Sequence, residues 1–151
     1  MSELETLRGL LDAERVKLAV HIRKMNSPGM PVYRSTENVA PAAAILLTSF
    51  GATSLIHFYL GAAILVVGCW WWLAKHLPRV KEGVFDRTAA LVLSSEKQFD
   101  FWWSQGVLSL FARLPDGTEV AAMRRDDWRA WVRNLPLGLE TMPAGHMMQE
   151  Q

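Results

Sequence analysis

Four histidines and a single cysteine are the residues of this 151-residue sequence best suited to ligation or proton transfer. His57 is the most suggestive of them. It stands inside an uncharged apolar run, where an ionisable group is by default a functional candidate. A haem would require a second imidazole at the same depth. His76 is 19 positions further on, roughly 28 Å along a continuous helix, and in a helical hairpin it falls at the opposite end. No haem pair is expected within one chain, and His57 reads as a polar residue at a turn or packed interface.

Cys69 and His76 are two helical turns apart, roughly 10 Å along an axis, too far to share one metal ion. With one cysteine, neither an internal disulfide nor a zinc cluster is expected. Cys69 reads as a small packing residue, since a reactive thiol needs an electropositive setting. Met142, His146, Met147 and Met148 are soft donors of the kind copper(I) prefers, without a folded frame to hold them. Paired carboxylates, Ser–His–Asp, HExxH, CxxC and Gly-rich phosphate signatures do not occur. The expectation is a non-enzymatic protein with no catalytic residue, metal or cofactor.

Two further groups could make contacts. Arg125, Arg129 and Arg133 recur every fourth position, a stripe that suits anionic headgroups or an acidic partner if it is more than a solvated helix face. Trp102 and Trp103, read as neighbours on a strand, would place one ring on each side, leaving one outside a small core as a contact surface.

The elements that must position these residues follow from the distribution of charge. The net charge is +1 and half the residues are apolar, so neither disorder nor bulk attraction to nucleic acid is indicated. Residues 1–38 carry six Lys/Arg and five Asp/Glu, residues 75–151 carry ten of each, and residues 39–74 carry none. That uncharged stretch exceeds the about 20 residues a membrane-spanning helix needs. Trp70, Trp71 and Trp72 close it as half of an aromatic belt, followed by the charged anchors Lys75, Arg79 and Lys81.

One crossing by residues 55–76 fits easily. Two crossings would have about 15 residues each, short for a core about 30 Å thick. A hairpin nevertheless places Lys24 and Arg34 on the same side as Lys75, Arg79 and Lys81, as the positive-inside rule prefers. The small residues Ala40, Ala44, Thr48 and Ala52 recur every fourth position, and Ser54, Gly61 and Gly68 every seventh, which would let helices approach closely in lipid. A hairpin turning between Gly51 and Tyr59 is therefore expected.

On the N-terminal side, Leu4, Leu7, Leu11, Leu18, Ile22 and Met25 fall within a roughly 60° arc at helical spacing. They predict one amphipathic helix from Ser2 to Met25, stopped by Asn26-Ser27-Pro28-Gly29. Its acidic opening does not resemble a signal peptide. On the C-terminal side, "RTAALVLSS" and "FDFWWSQ" read as short strands. "VLSLFARLPDGTEVAAM" reads as a hairpin turning at Pro115-Asp116-Gly117. Arg124 to Asn134 reads as a helix capped by Asp126.

The fold expected is an α+β membrane protein. Residues 1–38 form an amphipathic helix and linker, and 39–76 the transmembrane hairpin or one long helix. Residues 84–135 form a β-meander closed by a helix, and 136–151 a flexible tail. The function expected is that of a non-enzymatic subunit, an assembly or scaffolding component of a larger inner-membrane complex of the secretion, conjugation or respiratory type. Its partners would be other membrane subunits or copies of itself, together with membrane lipid and no nucleic acid. Its location would be a bacterial-type inner membrane with cytoplasmic termini. The alternative is a membrane-tethered sensor whose C-terminal part binds a lipid, ligand or peptide.

Overall fold

The computed structural model describes residues 1–136, 138, 139 and 141. The expected tail residues Met142, His146, Met147 and Met148 lie outside the described residues. The protein combines helices with one small three-stranded sheet, and its chain packs as two compact units, residues 26–84 and residues 1–25 with 85 onward.

The second of these units begins with helix α1 (Glu3–Asp12). Ser2 caps it by accepting from the Glu5 amide while the Glu5 side chain accepts from the Ser2 amide, a reciprocal capping box. The helix does not continue to Met25 as its leucine spacing predicts. It closes at Ala13, and Glu14 takes the left-handed conformation (φ 55°) that commonly ends a helix. Residues 16–20 then form strand β1 (Val16–Val20), followed by the single turn α2 (Ile22–Met25). The reason is tertiary: β1 pairs antiparallel with β2 (Leu108–Arg113), Leu18 opposite Leu110. The alternation of Val16, Leu18 and Val20 was the local signal for it.

The stretches expected as strands at residues 87–95 and 99–105 are helical. The first belongs to α6 (Leu77–Val92) and the second is α7 (Glu96–Ser104), capped by Ser95 accepting from the Gln98 amide at 3.3 Å. Phe99, Trp102 and Trp103 are spaced i, i+3, i+4, so one helical face gathers all three. The expected hairpin does form, β2 with β3 (Glu119–Ala122), in the register Leu110 opposite Ala122. Gly117 takes φ 85°, and Asp116 accepts from the Thr118 amide at 2.8 Å, a bond that holds the Asp116 carboxyl below the usual carboxylate range. The sheet order is β1-β2-β3, so the C-terminal segment makes no meander of its own and borrows its third strand from the N-terminus.

Helix α8 (Trp128–Arg133) is capped by Asp127, one residue later than expected, which accepts from the Arg129 and Ala130 amides. The unit's core joins Leu7, Val16, Val20, Leu108, Leu110 and Phe99, all essentially inaccessible. Phe99 stacks on Trp103 and packs against Trp128, with ring centroids 5.9 Å and 4.6 Å apart.

The other unit contains the short turn α3 (Ser35–Asn38), then α4 (Ala40–Leu55) and α5 (Phe58–Trp71), which are antiparallel neighbours joined at Ile56-His57. That turn falls inside the window expected from the sequence. After α5 a π-helical turn, Trp72–His76, leads into α6.

Candidate membrane-anchoring hairpin

Two helical runs, Ser35–Leu55 and Phe58–Val92, are long and apolar enough to cross a membrane. The first spans roughly 31 Å, and Phe58 to His76 roughly 28 Å, at 1.5 Å per residue. The second helix gains its length by continuing through the tryptophans and the π-turn, and the first by starting before the uncharged stretch. Hence two crossings are not too short for a hydrocarbon core of about 30 Å.

The hairpin has an inside-out distribution of side chains. Its own interface buries Ser49, Ala52 and Gly61. Leu47, Phe50, Leu55, Val66 and Trp70, by contrast, are each at least 65 % exposed. A core helix of a water-soluble domain buries one apolar stripe, whereas these windows are only 11 % and 6 % buried.

Gly61 sets the closest approach between the two helices. A Cβ built there would lie 2.6 Å from the Ser49 carbonyl oxygen and would overlap the Thr53 hydroxyl. The Ser49 hydroxyl donates across the interface to the Gly61 carbonyl at 2.8 Å. The Thr53 hydroxyl donates back along its own helix to the Ser49 carbonyl at 2.9 Å. One turn pair further along, Gly68 faces Ile45, whose Cγ2 would be 2.8 Å from an added Cβ. Of the small residues singled out by spacing, the hairpin brings together Ala52, Gly61 and Gly68, while Ala40, Ala44, Thr48 and Ser54 are exposed. Ser49 and Thr53 carry the polar contacts and were absent from the spacing argument, because neither fits its every-fourth or every-seventh pattern.

His57 has a local role that its sequence position conceals. It is the N-cap of α5, extended at φ −161°, with Nδ1 accepting from the Tyr59 amide at 3.3 Å and its ring stacked on Tyr59. It is exposed at the closed end of the hairpin, and no metal-ligand group of three His, Cys, Asp or Glu exists among the described residues.

At the open end, His76 stacks on Trp71 and its Nε2 lies 2.7 Å from the Glu37 carbonyl, where Nε2–H donates. Asn26 and Asn38 exchange two side-chain hydrogen bonds, at 2.7 Å and 3.0 Å, and Arg34 pairs with Glu37 at 3.5 Å. The start of the first run and the end of the apolar part of the second therefore lie together. Trp70, Trp71, Lys75 and Arg79 are exposed, and Trp72 and Lys81 are half-buried.

The residues expected to form a contact surface in the other unit are placed differently. Trp102 and Trp103 are both buried, correcting the expectation of an outward ring, because a helix rather than a strand carries them. Their indole N–H groups donate to Gln98 Oε1 and to the Asp126 carbonyl. Arg129 is bound internally. Its guanidinium donates to both Asp100 carboxylate oxygens at 2.7 Å and 2.8 Å, reaches Glu96 at 3.4 Å, and lies 4.5 Å from the Trp128 ring centre. The Trp128 indole also donates to Asp100. The Arg129 bonds hold the Asp100 carboxyl below the usual carboxylate range, against the opposing effect of partial burial, with help from Trp128. They raise the Arg129 guanidinium further in turn. Arg133 lies 3.8 Å from Glu3, and Arg125 is exposed. The stripe is thus split between an internal clasp, a weak surface pair and one solvated cation.

Comparison with known proteins finds no family model, curated protein or solved structure that matches the chain.

Proposed function

We propose that the protein is an integral membrane subunit that crosses the bilayer twice through α4 and α5 and acts without catalysis in assembling a larger inner-membrane complex. The observation that carries the two-crossing topology is the open end of the hairpin. The His76–Glu37 contact holds together the segments bearing Arg34 and Lys75, so a membrane around the hairpin puts both positive flanks on one side. The positive-inside rule makes that side cytoplasmic, with both ends of the chain.

The role as a subunit is supported by how little the hairpin satisfies itself. Its interface is narrow and glycine-based, and most of its large apolar side chains point away from it. In lipid, such helices associate further through close packing and interhelical hydrogen bonds. The experiment is purification of the tagged chain from its native membrane in a mild detergent. Other membrane proteins are expected to accompany it at fixed stoichiometry. Recovery as a monodisperse lone chain would overturn the assembly role.

A further inference from the structure

The unit built on the sheet has a cleft of about 270 Å³ at one end of the β1–β2 pair, and the function proposed above makes no use of it. Its chemistry-bearing lining is His21, Lys24, Ser109 and Arg124, with no carboxylate among the lining residues. We infer that this cleft binds a small phosphate-bearing anion.

The local structure explains how the cations converge. The His21 amide donates to the Val107 carbonyl at 2.7 Å just beyond the β1–β2 ladder. That bond turns the chain into α2, one turn of which carries Lys24 to the same edge. Arg124 arrives from the segment after β3. Its stem lies on Gly106, where an added Cβ would be 3.2 Å from Arg124 Cδ and where φ is 70°. The positive φ favours glycine there.

Neither Lys24 nor Arg124 pairs with a carboxylate among the described residues, although unit-wide Arg113, Arg129 and Arg133 all do. Lys24 and Arg124 both line the cleft, so an anion there would be attracted by both. Their combined charge matches a phosphate monoester dianion, and a planar guanidinium recognises phosphate oxygens with two parallel donors.

His21 contributes a further donor. Its Nδ1 is buried without a partner. A sealed N–H is costlier to orphan than a sealed lone pair, which favours the tautomer that carries its proton on Nε2. The Ser109 hydroxyl likewise has no protein partner among the described residues. The cleft therefore offers donors and positive charge and no competing acceptor side chain from a carboxylate.

The same chemistry is presented by a soluble phosphate monoester and by a phospholipid headgroup, and one experiment separates them. The full chain, in phosphatidylcholine nanodiscs, is titrated with phenyl phosphate while the His21 side-chain nitrogen resonances are followed. In a parallel series, phosphatidic acid replaces part of the phosphatidylcholine. Saturable displacement of the His21 signals by phenyl phosphate, weakened at least tenfold in Lys24→Gln/Arg124→Gln, supports a free ligand. Displacement by phosphatidic acid alone, with the same loss in the variant, supports a headgroup.

Arg125→Gln is the control, since it removes a neighbouring charge outside the cleft. If neither titration moves His21, or if Arg125→Gln weakens binding as much as the double variant, the inference is overturned. It stands independently of the assembly role. A chain that purifies alone yet binds phenyl phosphate would refute only the latter, and would give the sensor alternative its ligand class.

Discussion

Replacing Gly61 with alanine is the sharpest test of the hairpin. The added Cβ would lie 2.6 Å from the Ser49 carbonyl oxygen, against an ordinary contact of at least 3.4 Å, so the helices must part by 3.4 − 2.6 = 0.8 Å along that direction. The obstacle is backbone, so no rotamer change relieves it. The Ser49–Gly61 hydrogen bond, 2.8 Å long across the same interface, would be stretched by that separation.

Overpacking of this kind costs about 1–3 kcal/mol, and an interhelical hydrogen bond in a membrane protein contributes about 0.6 kcal/mol. A loss of about 2–3 kcal/mol is expected for Gly61→Ala. The assay is reversible SDS titration of the protein in dodecyl maltoside. A fluorophore pair at Leu46→Cys and Leu65→Cys, in a Cys69→Ser background, reports hairpin opening. Gly51→Ala is the internal reference, because nothing lies within 4 Å of a Cβ there. That substitution should be neutral or gain up to about 1 kcal/mol from helix propensity. If Gly61→Ala proves as stable as Gly51→Ala, the close approach that defines the hairpin is wrong.

Three other outcomes are expected. Asp100→Asn should cost about 1 kcal/mol, the scale of a partly exposed ion pair, and in a double-mutant cycle most of that loss should disappear when Arg129 is already glutamine. Because the folded Asp100 pKa is depressed, its contribution is fully present above the unfolded value of about 3.9. It is lost as pH falls through the lower folded value, so the gap between wild type and Asp100→Asn should close in acid melts below about pH 4. An isolated fragment of residues 84–141 should be unfolded by amide exchange, since it lacks β1 and α1, and should regain protection when a peptide of residues 1–25 is added. Asp127→Ala should lower stability by about 1 kcal/mol through loss of the α8 cap, while Asp126→Ala should leave that helix intact.

The sequence by itself determined the elements whose signals are local. A 36-residue interval without a charge, closed by three tryptophans and a basic cluster, marks the apolar segment, while the choice of a hairpin over one long helix leaned on the basic residues at both flanks. The Pro115-Asp116-Gly117 turn likewise specifies its own β-hairpin, because a glycine with φ 85° and a short acidic side chain satisfy the bend within a few residues. The helix ending in Arg133 was legible at that end, although it starts at Trp128 rather than at the expected Arg124.

Only the tertiary structure decided the rest. Leu18, Ile22 and Met25 continue the helical spacing of Leu4 and Leu7, yet residues 16–20 become a strand because β2, almost ninety residues later, offers a ladder that a helix cannot use. The aromatic run of α7 suits a strand by composition. Its i, i+3, i+4 spacing succeeds instead, because Phe99 and Trp103 then meet Trp128 on one face. Arg129 looks like a solvated stripe until Asp100 is seen beside it. The cleft is invisible in one dimension, since His21, Ser109 and Arg124 converge only through the pairing of chain segments far apart in sequence. Local chemistry can be read from neighbours along the chain, whereas pairing across a sheet depends on which distant segment arrives.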